Sequence, residues 1–526
     1  MTVQTRFQKP IKNKLFWSQA QEYSLAFLLL VVIIGLFSWR LWLPELSTNK
    51  PFVPQTPGQQ QHQALTWEYY RNTHYTWQNM RQGHLPLLNP YLYGGAPHLA
   101  NGENAVWEIN KLLLYQLPIG YDLFWKILVF SRLLGLGFFT FLYLKALKLR
   151  SLPAVFGSLA FGLSAYSLAS MGTPNLATIV WLPFCLWAVE RYLSGYQKKY
   201  LFAQTLGTGL LLISGSLANA LICFGFWFFY TLFRVITHAR HSLTLRKAVQ
   251  IYLDFLLYTL LGFCLAGPQL ITHIELLTSS NYLHQTPSTS LLSLAGDLGT
   301  YAKGSWENIK DLLLFLTPYA SRPSQPNLWL DASLPYYQTG LYIGLVSISL
   351  VFIALVGYRK KKLVWFLLLS ALLSLGLGLN LPGFALLKHF PIWQYLDPTR
   401  FKFLAQFTLC ILAAQGLDYL MIKIKGEKSF GLLLLLLLVF DLHYAHGHLP
   451  GYALPPLAQK EPAWLDFLTT HSSDYRILDP DNYLPADSIS AAYLANLSRP
   501  GKHRPLRVEY LLSQVSIPAD DSDPDF

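Results

Sequence analysis

Residues 23–43 read YSLAFLLLVVIIGLFSWRLWL, and this stretch decides the class of fold. An α-helix rises ~1.5 Å per residue and a bilayer's hydrocarbon core is ~30 Å thick, so about twenty such residues cross it once. The run is too long for a cleavable leader, and no small-residue cleavage site follows it before Pro44. It therefore reads as a retained signal anchor. Comparable apolar runs follow at 122–144, 153–170, 176–193, 201–215, 219–237, 250–275, 339–357, 363–379, 400–421 and 430–446. The expectation is an all-α polytopic membrane protein of about eleven transmembrane helices. The short 201–215 span either breaks or merges with its neighbour across Ser214-Gly215-Ser216.

Composition agrees. The 526 residues are 52% hydrophobic and only 13% charged, against roughly 25% charged in ordinary soluble domains. The formal charge of +12 lies in short clusters between apolar spans, which signals membrane orientation and excludes nucleic acid as a partner. Cys185, Cys223, Cys264 and Cys410 each sit inside an apolar run without a CxxC or Cys/His partner. They read as small buried hydrophobes.

Basic clusters set the topology. Arg6 to Lys14, Lys145 to Arg150, Arg191 to Lys199, Arg234 to Lys247, Arg359 to Lys362 and Lys423 to Lys428 fall on alternate connections. The turns at 172–175 and 214–218 carry no Lys or Arg. Cytoplasmic loops collect Lys and Arg, so residues 1–22 form a cytoplasmic tail and 23–446 a multispanning domain of the inner cell membrane. Segments 44–121, 276–338 and 447–526 then face the extracytoplasmic side. The first is a long structured loop. The second contains GSWENIKDLLLFLTPY, where Ile309, Leu312, Leu313 and Leu316 recur at the spacing of a short interfacial amphipathic helix. The third reads as a small α/β region ending in the acidic tail DDSDPDF.

Chemistry is sought on that side, because no Walker loop, HExxH, GxSxG or paired CxxC occurs. Glu68 lies in TWEYYRNTHYTW, whose aromatics have helical spacing. It is either a base or metal-binding carboxylate at the membrane surface or a solvated charge. Glu103, in LANGEN, stands beside a glycine that lets backbone approach a ligand, or is an ordinary turn carboxylate. Glu275 ends the seventh span as a third acidic candidate. His62, His74, His84 and His98 lack zinc-like spacing, and a divalent cation is the one cofactor left as a candidate. Charges within spans are costly and hence informative. Arg132 needs a partner, a loop carboxylate or a lipid phosphate, while Lys126 can snorkel outward. Arg400 and Lys402 open the tenth span in DPTRFKF, where a guanidinium can hold phosphate oxygens in pairs or serve as an anchor.

Several motifs together resemble the YfhO-like family of bacterial membrane proteins. They are Gly83-x-Leu85-Pro86-Leu87-x-Asn89-Pro90, Gly95-x-Pro97 and Ala100-Asn101, then WLPFCLWAVERYL at 181–193 and LLISGS at 211–216. Gln269 and Glu275 match a Gln-Leu-Leu-Pro-x-x-Glu element in which Thr272 replaces proline, and DPTRFKFLAQFTLCILAAQGLDYL closes the series. The resemblance spans about residues 20–490. It implies a GT-C-type glycosyltransferase using a polyprenyl-phosphate sugar and glycosylating an envelope polymer or glycolipid acceptor within the lipid bilayer. The family's early first-loop Asp is missing from GQQQHQALTWEYY, where Glu68 is the nearest acid, and Leu88 replaces a Trp. The resemblance and the span charges make Glu68 the base candidate, with Arg400, Arg132 and Lys402 on the donor phosphate. Two other classes remain: a lipid or lipid-linked-sugar flippase, and a catalytically inactive scaffold that binds lipid-linked sugar.

Overall fold

The computed structural model describes residues 12–42, 57–91, 95–242, 244–279, 308–316, 340–381, 384, 396–424 and 427–446. The region 447–526 and most of 276–338 lie outside the described residues. The chain is a bundle of helices: α1 (Lys12–Phe37), α2 (Pro57–Arg81), α3 (Ile109–Tyr115), α4 (Tyr121–Ala146), α5 (Ser151–Gly162), α6 (Ala165–Ala169), α7 (Pro174–Ile179), α8 (Trp181–Gly195), α9 (Lys199–Ile213) and α10 (Leu217–Ser242). After these come α11 (Leu245–Thr278), α12 (Leu345–Gly357), α13 (Lys362–Gly378), α14 (Lys402–Lys423) and α15 (Glu427–His446). Helix stands at each of the apolar runs. Among the described residues, seven helical stretches are long and apolar enough to cross a membrane, and α5, α12 and α13 are shorter apolar helices.

Local chemistry explains where the runs divide. Ser164 caps α6 by accepting from the Ser167 N–H, which ends the 153–170 run as one straight helix. Pro183 has no N–H to donate to the carbonyl a turn earlier, and α7 passes into α8 just before it, within a continuous helical stretch Pro174–Gly195. The turn 214–216 separates α9 from α10 outright. Gly215 sits at φ +122°, and a Cβ there would meet Pro174 Cβ at 2.5 Å and Ala105 Cβ at 3.0 Å. Residues 308–315 form a 3-10 helix instead of the expected α-helix, with Leu312, Leu313 and Leu316 exposed and Leu314 and Phe315 buried.

α14 is the axis of the bundle, packed between α12, α13 and α5. Helices gain no hydrophobic drive toward one another in lipid, so close backbone approach at small residues does much of the work. A Cβ on Gly416 would overlap the Leu350 carbonyl of α12, and one on Gly357 would enter the Tyr419 ring of α14. The second tight crossing joins α9 and α11, where a Cβ on Gly209 would meet the Leu265 side chain at 2.6 Å and one on Gly262 the Thr205 carbonyl at 2.8 Å.

The helices alternate between two ends. One end collects Lys145, Arg150, Lys198, Lys199, Lys247, Lys361 and Lys423 at helix termini. There Arg234 meets Glu190 through two bonds of 2.5 and 2.6 Å, Tyr230 donates to the same carboxylate, and Tyr143 donates to Tyr230, joining α4, α8 and α10. The opposite end carries α2, the loop 82–108 and the turns at 170–174 and 214–216. Inserting bulk into a packed crossing costs ~1–3 kcal/mol. Gly416→Val should therefore lower the thermal midpoint of the detergent-solubilised chain well below that of the neutral surface change Ile422→Val.

Candidate functional site

The first loop owes its shape to the residues of its motif. α2 ends in a reverse turn in which Gly83 (φ +76°) donates to the Met80 carbonyl and His84 to that of Asn79. Only a residue without Cβ takes that backbone cheaply. Pro86 is buried, and the buried Asn89 side chain accepts from the Tyr91 N–H at 3.0 Å. Leu88-Asn89 pairs antiparallel with Ala96-Pro97, beyond exposed Pro90 and Gly95 at φ +123°. Asn101 then accepts from the Glu103 N–H at 3.1 Å and caps a 3-10 turn, Gly102–Asn104. The seven motif residues thus sit in turns, strands, caps or buried positions, and the described residues of the loop are folded.

Two anchors hold that loop to the bundle. The first is ionic. Arg132, on α4 and only 2% exposed, donates Nε to Glu108 Oε1 at 2.7 Å and Nη2 to Oε2 at 2.6 Å. Its Nη1 donates to the carbonyls of Met171 and Thr173 at 3.2 and 3.3 Å. Between the two partners named for Arg132 in the sequence, the loop carboxylate is the one observed, and its charge is neutralised there. Lys111 is buried beside the pair, its Nζ 2.8 Å from the Asn104 carbonyl and 3.9 Å from Glu108 Oε2. Burial pushes its ammonium down to about 7, against the pull of Glu108. The second anchor comes from α11: Gln269 Nε2 donates to the Leu99 carbonyl at 3.0 Å, and the Gly102 N–H donates to His273 Nδ1 at 3.0 Å.

A separate constellation surrounds Arg400. It lies in the 3-10 turn Pro398–Phe401 leading into α14, capped by Asp397, which accepts from the Thr399 N–H and hydroxyl. Arg400 Nη1 donates to Asn175 Oδ1 at 2.8 Å and Ser216 Oγ at 3.0 Å, and Asp397 Oδ2 lies 3.8 Å from its Nε. Asn219, fully buried on α10, donates Nδ2 to Asn175 Oδ1 and to the Tyr166 hydroxyl. Helical stretches starting at Pro174, Leu217 and Pro398 therefore turn their N-termini toward one guanidinium. Unsatisfied N–H groups and aligned peptide dipoles make such ends electropositive.

Glu103 shares this neighbourhood. The Gly102 carbonyl lies 3.4 Å from where a Gly215 Cβ would stand, one residue from Ser216, and Glu103 follows on the same turn, half-buried. Glu68 is half-buried on α2, two residues beyond Thr66, whose methyl packs 3.2 Å from the Cβ position of Gly172. Glu275 is exposed near the end of α11, and Lys402 is buried against Gly378 at the start of α14. Among the described residues no cluster of His, Cys, Asp and Glu could hold a metal ion.

Glu108, Asn175, Ser216, His98 and His273 were not among the residues the sequence singled out as a site. Glu108 carried a usable signal, as the glutamate nearest in sequence to a buried-span arginine. Asn175 and Ser216 carried none, because small polar residues at helix ends are also ordinary caps.

Removing one partner of a buried ion pair leaves an uncompensated charge and costs ~3–5 kcal/mol. Arg132→Met should destabilise the chain by about that amount in denaturation, and adding Glu108→Gln should recover a large part of it. Equal stability of Arg132→Met and the double variant would show that the pair holds nothing together.

A scan against protein-family models gives no match for this chain, and no curated protein matches it.

Proposed function

We propose that the chain is a membrane glycosyltransferase moving a sugar from a polyprenyl-phosphate donor to an envelope acceptor. In this reading the chain has eleven crossings in a GT-C-like arrangement, with the N-terminus cytoplasmic and the end bearing the first loop outside. The observation that carries the reading is Arg400 held by Asn175 and Ser216 where three helical stretches begin. A donor phosphate there would meet a fixed cation and electropositive helix ends, with its polyprenyl chain in the surrounding lipid.

Transfer needs little more. The acceptor hydroxyl oxygen bonds to the sugar's anomeric carbon as the bond from that carbon to the phosphate oxygen breaks. A carboxylate takes the hydroxyl proton, and the phosphate keeps the electron pair, its charge held by Arg400. Glu103 is the first candidate base because its turn packs on Gly215, beside Ser216; Glu68 is the second. Arg132 is bound to Glu108 and braces the loop instead of binding donor.

The test is sugar transfer and donor binding in lipid nanodiscs supplied with polyprenyl-phosphate sugars. Losing a general base costs ~10²–10⁴ in rate, so Glu103→Gln should lose that much turnover while keeping donor affinity. Arg400→Lys keeps the charge and loses the planar donor pair, so donor affinity should fall roughly tenfold or more, the loss expected from one charge-assisted bond of ~1.5–3 kcal/mol. Undiminished turnover in Glu103→Gln would pass the role to Glu68. Unchanged donor affinity in Arg400→Lys would remove Arg400 from the site, and donor crossing the bilayer without transfer would favour a flippase.

Orientation has its own check. Cysteines replacing exposed Gln82 and Lys198 should label oppositely with an impermeant thiol reagent on intact spheroplasts, Gln82→Cys directly and Lys198→Cys only after permeabilisation. The reverse pattern would invert the topology.

A further inference from the structure

His98 lies at the centre of the first loop, only 1% exposed, and bonds through both ring nitrogens. Thr76 Oγ1 on α2 donates to the Asn72 carbonyl at 2.8 Å, so toward the ring it accepts, from His98 Nε2–H at 2.8 Å. The Asn104 amide donates one hydrogen to the His98 carbonyl at 2.8 Å and points the other at Nδ1, 3.2 Å away. The arrangement fits one species, the neutral imidazole protonated on Nε2. It joins α2, the Ala96-Pro97 strand and the Gly102–Asn104 turn in one bond chain.

We propose that His98 is a positioning residue. As neutral imidazole it clamps the Gly102–Asn104 turn to α2, and a proton on Nδ1 opens the clamp, so the first loop is an acid-released latch. The proton would face the Asn104 N–H with no acceptor, so either the bond to Asn104 or the packing of the turn must give way. Lys111 on α3 stands behind Asn104, on whose carbonyl its Nζ is held, and repels a second positive charge. Glu108 and Arg132 neutralise each other beyond it. Tyr75 on α2 lies edge-on, its ring centroid 4.9 Å from that of His98, and His273 on α11 holds the other side of the turn at Gly102.

Burial and Lys111 hold the imidazole down to about 3 from its ordinary 6.5. The closed form thus binds fewer protons than the open form across that window. The His98 contribution to closure is complete above about 6.5 and weakens as pH falls toward 3, approaching tenfold per pH unit.

The latch is independent of sugar transfer and is read on the full-length chain in nanodiscs by hydrogen–deuterium exchange. Between pH 6.5 and pH 5, protection factors for 98–106, corrected for intrinsic exchange, should fall roughly 15-fold, while those of α14 stay constant. His98→Gln supplies a neutral donor and acceptor and should flatten the dependence; His273→Gln, which loosens the other anchor, should lower protection yet keep the slope. Flat protection in the unaltered chain would overturn the proposal even if a variant failed to fold. So would a slope that persists in His98→Gln, or one that vanishes only in His273→Gln.

Discussion

The bidentate pair between Arg132 and Glu108 fixes the geometry on which the rest of the loop end depends. A guanidinium inside an apolar bundle is tolerable only when its charge and donors are met. Here one carboxylate meets the charge, and two carbonyls of the 171–173 segment take the remaining donor. Because Glu108 belongs to the loop and Arg132 to α4, satisfying the charge also places the loop. The loop in turn places Gly102 against Gly215, and thereby Glu103 near the Arg400 constellation.

The same logic of satisfied polar groups governs both ends of the bundle with different results. At the basic end, Glu190 gathers Arg234, Tyr230 and Tyr143 into a closed network that cross-links three helices. At the loop end, Arg400, Asn175, Ser216 and Asn219 converge where helices begin and backbone N–H groups lack intrahelical partners. The first arrangement resembles a staple. The second has the electropositive character that anions seek. Between the ends, glycines at 262 and 416 let helices approach to backbone contact, and those at 209 and 357 make room for the Leu265 and Tyr419 side chains.

Much of the frame was legible in the chain. Every apolar run expected to be helical carries helix, and of the two readings open at 214–216, a break or a merger, the structure takes the break. The glycines and prolines of 83–97 predicted an ordered loop, and the structure gives Gly83, Pro86, Pro90, Gly95 and Pro97 each a turn, strand or buried position. Less legible was the division of the 153–170 run at Ser164, where a cap that looks like any other serine ends one helix and starts the next. The 308–315 segment has the apolar pattern of an amphipathic helix but closes as a tighter 3-10 turn, which spacing alone does not separate from one turn of α-helix.

By itself the sequence determined the class of fold, the approximate position of each helix and the end at which basic residues collect. Each follows from local quantities: run length against bilayer thickness, charge against position, Gly and Pro against backbone freedom. Only the tertiary structure decided which charges meet. Glu108 and Arg132 are 24 residues apart, Asn175 and Arg400 are 225 apart, and Gly102 and His273 are 171 apart. No periodicity in a chain encodes such pairings. They arise because helices packed in lipid must satisfy every buried charge and amide within the molecule, and the partner chosen is the one that the packing of distant helices brings within reach.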